Sequence, residues 1–317
     1  MSNSKSQTTY TLISGIMGGL ILTLFTQPLI FAQSDNVVTE TSTVSINLFQ
    51  AFILGLIQGL TEFLPISSTA HLKVIPVALG WGDPGVAYTA IIQLGSIIAV
   101  LWYFRQDLIH LTTGILKSVK TKNYNTQEFK MGLGIIIGTI PIIIVGLALK
   151  ILVPDLDNSS FRSLTTIAIA SIVMAILLGV AEKISTHKRN FEQLSTKDGI
   201  LMGLAQSLAL IPGVSRSGST ITAGLFMNLE RETAARFSFL LGIPAITLAG
   251  LVELKDAFSQ GLNSVSIFPL VVGVISAWIF SYLAIAWLIL FLQKQNTWVF
   301  VWYRLVFGIV ILVATIK

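Results

Sequence analysis

The 317-residue chain contains no cysteine. Disulfide frameworks, thiolate chemistry and cysteine-ligated metals are therefore excluded. Charge is scarce as well: 20 Lys and Arg with 15 Asp and Glu make only 11% of the residues, and histidine occurs three times. A soluble domain needs a polar face on its surface helices, and this chain has too few polar residues to supply one. No HExxH zinc helix and no GxxxxGK[ST] phosphate loop occurs, so ATP-driven chemistry has no nucleotide site. The net charge of +5 does not mark a nucleic-acid partner. The basic residues sit in short turns without interleaved aromatics, which is a topology signal.

What the chain has instead is apolar length, with 53% hydrophobic residues and a mean hydropathy of +0.80. Six runs, at about 87–104, 131–153, 162–183, 235–253, 267–292 and 298–316, approach the roughly 20 residues that cross a bilayer as a helix. Ahead of them, residues 10–32 are apolar and end in IFAQ. They read equally as a signal peptide cut after Ala32 or as an uncleaved anchor, with a polar tether to residue 46. The expected division is an extension over 1–45 and a membrane-embedded unit over 46–317.

Basic residues place the turns. Segment 105–130 reads as a loop carrying Arg105, Lys117, Lys120, Lys122 and Lys130, and segment 182–197 carries Lys183, Lys188, Arg189 and Lys197. Both are expected inside. Segments 154–161, with Asp155 and Asp157, and 253–266, with Glu253 and Asp256, are expected outside. Two stretches, 47–80 and 198–228, must then enter and leave on one face each, from opposite sides. Each is apolar, breaks at a proline and resumes. Gln58 aligns with Gln206, Pro65 with Pro212 and Leu94-Gly95 with Leu241-Gly242, 147 or 148 residues on. The expectation is an all-α polytopic membrane protein with an inverted-topology repeat. It has about six transmembrane helices plus two re-entrant broken helices, repeat one over about 47–153 and repeat two over about 198–292.

Irregular backbone at membrane depth lines a cavity or is buried in protein, so the breaks are the candidate site. The first reads QGLTEFLPISSTAH, residues 58–71. Gln58 and Glu62 are one helical turn apart on one face, Ser67, Ser68 and Thr69 fall in the break, and His71 opens the returning segment. The second, PGVSRSGST, holds Gly213, Ser215, Arg216, Ser217, Gly218 and Thr220. An arginine in hydrocarbon costs about 3 kcal/mol and needs an anion. Its forked donors fit phosphate, and the following helix aims its N-terminus at the same place. Glu62 with Gln58 offers hard oxygens to Mg²⁺ or Ca²⁺, and His71 can activate a hydroxyl or a water, or act as general acid. The plainer alternatives are a structural Glu62–Arg216 pair and hydroxyls that only bond the preceding turn. A lipid-phosphatase motif with histidine six residues past the arginine is excluded, since Thr222 stands there.

These two stretches resemble the (E/Q)xxxE motif, with its Ser-Ser-Thr-x-His continuation, and the PGxSRSxxT motif of the undecaprenyl-diphosphatase (bacitracin-resistance protein) family. The resemblance covers about residues 46–316. It implies a multi-pass enzyme of the bacterial plasma (inner) membrane that converts undecaprenyl diphosphate to undecaprenyl phosphate. That activity recycles the lipid carrier for cell-wall synthesis and confers bacitracin resistance. By motif position it implies Ser68 as nucleophile, His71 as its activating partner, Arg216 as phosphate ligand and Glu62 with Gln58 as the metal-associated pair. Ser67, Thr69, Gly213, Ser215, Ser217 and Thr220 would line the phosphate site, and Mg²⁺ or Ca²⁺ would be the cofactor. Where some members have Glu first, this chain has Gln58, which weakens that position as a metal ligand. The expected partners are the polyprenyl diphosphate substrate, bilayer lipids and, as an open alternative, further copies of the chain. The competing class is a secondary transporter or flippase for a phosphorylated lipid, which would need Arg216 but neither a nucleophile nor a general acid.

Overall fold

The computed structural model describes residues 46–153, 162–259 and 267–316. The expectations for residues 1–45 and 154–161, and for residues 260–266 of segment 253–266, lie outside the described residues. Apart from an isolated bridge between Arg189 and Leu229, the regular structure described is helical. In chain order the helices are α1 (Leu48–Phe63), α2 (Ser68–Ala78), α3 (Gly85–Tyr103), α4 (Arg105–Thr121), α5 (Gln127–Leu152) and α6 (Leu164–Ile184). They continue with α7 (Thr196–Ser207), α8 (Arg216–Phe226), α9 (Arg231–Ser259), α10 (Ile267–Leu292) and α11 (Trp298–Ile316). Six of them, α3, α5, α6, α9, α10 and α11, are long and apolar enough to cross a membrane. The protein is a polytopic membrane protein.

One expectation is corrected. Segment 105–130 is not a loop, because α4 occupies most of it. Its apolar residues are spaced for a helix but diluted by Lys and Thr, so the segment lacks the unbroken run of a span. Ile109, Leu116 and Val119 point outward while Leu111 is buried. Gly114 lets α4 lie directly on the Glu128 side chain of α5.

The broken helices α1/α2 and α7/α8 are each held by a span from the other half of the chain. Helix α1 packs on α10 through Gly55 and Gly59, and α7 packs on α5 through Gly199 and Gly203. A methyl group on Gly203 would lie 2.1 Å from the Gly138 carbonyl oxygen, so only glycine permits this backbone approach. The starts of α1 and α7 lie at opposite ends of the bundle. Phe49 at the start of α1 meets Trp81 edge-on, near the turn that leads to Asp83. Thr196 at the start of α7 donates to the Lys130 carbonyl, among the basic turns. There Arg189 forks onto Asp198 at 2.8 and 2.6 Å, and Asp198 completes a capping box with Ser195. Burial alone would push the Asp198 carboxyl up, but the bonds from Arg189 and Ser195 outweigh it and hold it below the usual carboxylate range.

Candidate active site

Each broken helix turns back through strained backbone. Ser67 (φ 76°) immediately precedes α2, Ser215 (φ 72°) immediately precedes α8, and Gly213 has φ 94°. A non-glycine residue held in such a conformation costs about 1–3 kcal/mol and persists only where its surroundings enforce it. The enforcing group is Arg304, buried in the last span. Its guanidinium donates to the carbonyls of Pro65 (3.0 Å), Gly213 (2.8 Å) and Val214 (2.9 Å). One side chain thus ties both breaks together. Ser217 adds a bond from its hydroxyl to the Leu64 carbonyl at 2.9 Å.

The joined breaks bring the N-termini of α2 and α8 to Glu62. Ser68 Oγ donates to Glu62 Oε2 at 2.7 Å, and Gln58 Nε2 donates to the same oxygen at 3.2 Å. Arg216 Nη2 reaches Glu62 Oε1 at 3.4 Å, with both side chains only 9% exposed. Gln58 is steadied from behind by Ser96, which in turn accepts from Ser281. The rest of the Arg216 fork is idle, since its Nε and Nη1 are buried without a hydrogen-bond partner among the described residues. A buried guanidinium with unused donors is costly unless an anion completes it. Phe63 lies under the guanidinium, 5.7 Å from its ring centre. Gly242 makes the space above it, where a methyl group would sit 2.0 Å from Nη1.

Two cavities meet at Ser68 and Thr69. One is bordered by Glu62, Ser67, Ser215 and Arg216, and continues along apolar residues of α5 and α9 such as Ile142 and Ile246. The other is bordered by Gln58, Lys73, Asp83, Arg162 and Glu253. Gln93 borders both.

The bacitracin resistance protein family model matches residues 51–310. The chain is 67% identical to the undecaprenyl-diphosphatase of Synechocystis over 288 residues, 91% of this chain and 88% of that one. It is 62% identical to that of Trichormus variabilis (96% and 94% covered) and 61% identical to that of Synechococcus elongatus (87% and 96% covered). The chain belongs to the bacitracin resistance protein family.

The region matched by the bacitracin resistance family model contains both helix breaks and Arg304. Within it, Glu62, Ser67, Ser68, Thr69, Ser215 and Arg216 line the apolar-walled cavity, and Gln58 lines the polar one. The other motif residues are set back. Gly213 packs on the backbone of Ile167, and Gly218 makes room for Arg304. Thr220 bonds Ser238 and the Arg216 carbonyl. His71 is fully buried, stacked 4.3 Å from the Phe307 ring. Its Nδ1 lies 2.7 Å from the Ser67 carbonyl and its Nε2 lies 2.6 Å from the Tyr303 hydroxyl. A carbonyl can only accept, so Nδ1 carries the proton and Nε2 accepts from Tyr303. The group on Ser68 is therefore Glu62, while His71 holds the carbonyl of the residue before it. Sequence inspection missed Arg304, Tyr303, Ser96 and Gln93 as parts of the site. Arg304 alone carried a signal, as a charge within an apolar span.

Proposed function

We propose that this protein removes the terminal phosphate of undecaprenyl diphosphate, releasing undecaprenyl phosphate and inorganic phosphate. The observation that carries the chemistry is the 2.7 Å hydrogen bond from Ser68 Oγ to Glu62 Oε2 beside the unfilled fork of Arg216. Arg216 takes non-bridging oxygens of the diphosphate through its idle donors, and the N-termini of α2 and α8 add their partial positive charge. Ser68 Oγ attacks the terminal phosphorus while Glu62 accepts its proton. The bond to undecaprenyl phosphate breaks, and the departing phosphate takes that proton from Glu62. A water molecule then attacks the phosphoserine and gives a proton to Glu62. Ser68 Oγ regains that proton as its bond to phosphorus breaks. His71 positions the strained Ser67 carbonyl and thereby Ser68.

A divalent cation fits this site only in company with the substrate. Among the described residues no cluster of three His, Cys, Asp or Glu exists. Glu62 and the amide oxygen of Gln58, whose nitrogen is already used, would hold Mg²⁺ or Ca²⁺ together with diphosphate oxygens. The ion would supply neutralisation of phosphate charge.

The polar cavity is bordered by exposed Asp83 and by Glu253, at the end opposite the basic turns. This supports a site facing the outer side of the bacterial plasma membrane. The deciding experiment is phosphate release from a long-chain polyprenyl diphosphate by the purified protein, with and without chelator. Release that depends on Ser68 and Glu62 is expected. Transport of the lipid without release would establish a flippase instead.

A further inference from the structure

The two cavities that meet at Ser68 differ in kind, and so do the two products of the reaction. Undecaprenyl phosphate carries an apolar chain, which suits the cavity walled by α5 and α9. Inorganic phosphate is a small, heavily hydrated anion, and passage along apolar walls would strip its water at high cost. The second cavity is the more polar of the two, although Leu72, Val86 and Ile167 also border it. Lys73, Asp83, Thr89, Arg162 and Glu253 surround it, and it begins at Ser68, Thr69 and Gln58.

Lys73 stands four residues after Thr69 on α2, so the two share a helix face. Its ammonium is half-buried and, among the described residues, makes one hydrogen bond, to the Arg162 main-chain carbonyl at 2.8 Å. That acceptor is neutral. Two of its three donors remain available to a ligand, and Asp83 influences it only as a neighbouring charge. A cation one helical turn beyond Thr69, the neighbour of the reacting serine, and bordering the polar cavity is suited to receive an anion released there.

We propose that this polar cavity is the exit for inorganic phosphate and that Lys73 is its phosphate-binding residue. The proposal rests on the hydrolytic function above. It separates the paths of the two products, with the prenyl phosphate returning along the apolar wall and the phosphate leaving past Lys73 and Asp83. Asp83 opposes retention, so the site passes phosphate on rather than storing it.

The test is inhibition by added orthophosphate, read as undecaprenyl phosphate formed from undecaprenyl diphosphate by the purified full-length protein. The wild-type protein should be inhibited, and Lys73→Arg should behave like it. Lys73→Gln keeps a donor for the Arg162 carbonyl but loses the charge. It should raise the phosphate inhibition constant about tenfold, the scale of one charge-assisted hydrogen bond, with KM for the lipid changed less than about twofold. Asp83→Asn keeps an acceptor for the Gly85 amide and should shift the inhibition constant in the opposite direction, toward tighter binding. The proposal is overturned by an unchanged inhibition constant in Lys73→Gln, by a wild-type protein indifferent to phosphate, or by a KM that rises in step. Absence of any undecaprenyl phosphate from the wild-type protein would instead overturn the hydrolytic function itself.

Discussion

Arg216 and Glu62 form an ion pair with unused capacity, and that capacity separates a catalytic pair from a structural one. Two buried nitrogens of Arg216, Nε and Nη1, lack partners among the described residues, so Arg216→Lys, which keeps the charge but not the fork, should lose most of the activity. Near-normal turnover at matched protein levels would reduce Arg216 to a counter-ion. Gly242→Ala applies the same logic without touching the charge, because the added methyl group displaces Nη1. At Glu62, replacement by Gln removes the proton acceptor for Ser68, and a loss of roughly a hundredfold or more in rate is expected. Gln58→Ala should cost less, since Gln58 approaches the same oxygen only as a neutral donor. A metal titration of phosphate release by both variants checks this, and equal mild losses would show that the pair merely packs α1.

At the scale of elements, the site exists because two helix breaks are pinned to each other. Arg304→Met would leave the Pro65, Gly213 and Val214 carbonyls without their donor, each worth about 1–3 kcal/mol when stranded. The unfolding temperature in detergent should fall along with activity, and Arg304→Lys should rescue part of the loss. An unchanged unfolding temperature in Arg304→Met would show that the breaks hold themselves. The start of α7 is pinned differently, by the Arg189–Asp198 fork. The Asp198 carboxyl is held below its ordinary value, so its contribution to stability is fully present above the unfolded value of about 3.9. It is lost as pH falls through the lower folded value. The stability gap between the wild-type protein and Asp198→Asn should be constant near neutral pH and close only in strong acid. A gap that closes near pH 6 would assign the effect to another group.

At the scale of the whole molecule, the two broken helices enter from opposite ends, each clasped by a span of the other half. With the basic turns inside, a single cysteine at exposed Lys122 should react only from the cytoplasmic side, and one at exposed Asp83 only from outside. The chain has no native cysteine to confuse the result. Labelling of position 83 from the cytoplasm would invert the orientation and point the polar cavity inward.

The sequence by itself determined the spans, the two breaks and the motif residues of the site. These rest on runs of local hydrophobicity, on prolines that stop a helix, and on spacing within one turn, all of which act between near neighbours in the chain. Segment 105–130 escaped because an amphipathic helix beside a bundle has neither an apolar run nor a turn signature. Tertiary structure decided which group each site residue answers to. Glu62 meets Ser68 across a backbone reversal, and Arg216 comes to it from 154 residues away. His71 is claimed by Tyr303, 232 residues on, and by the Phe307 ring. Arg304 finds the Pro65, Gly213 and Val214 carbonyls only after both breaks are in place. Hydrogen bonds act over about 3 Å, so residues far apart in sequence acquire these partners only when packing of the helices has brought them together.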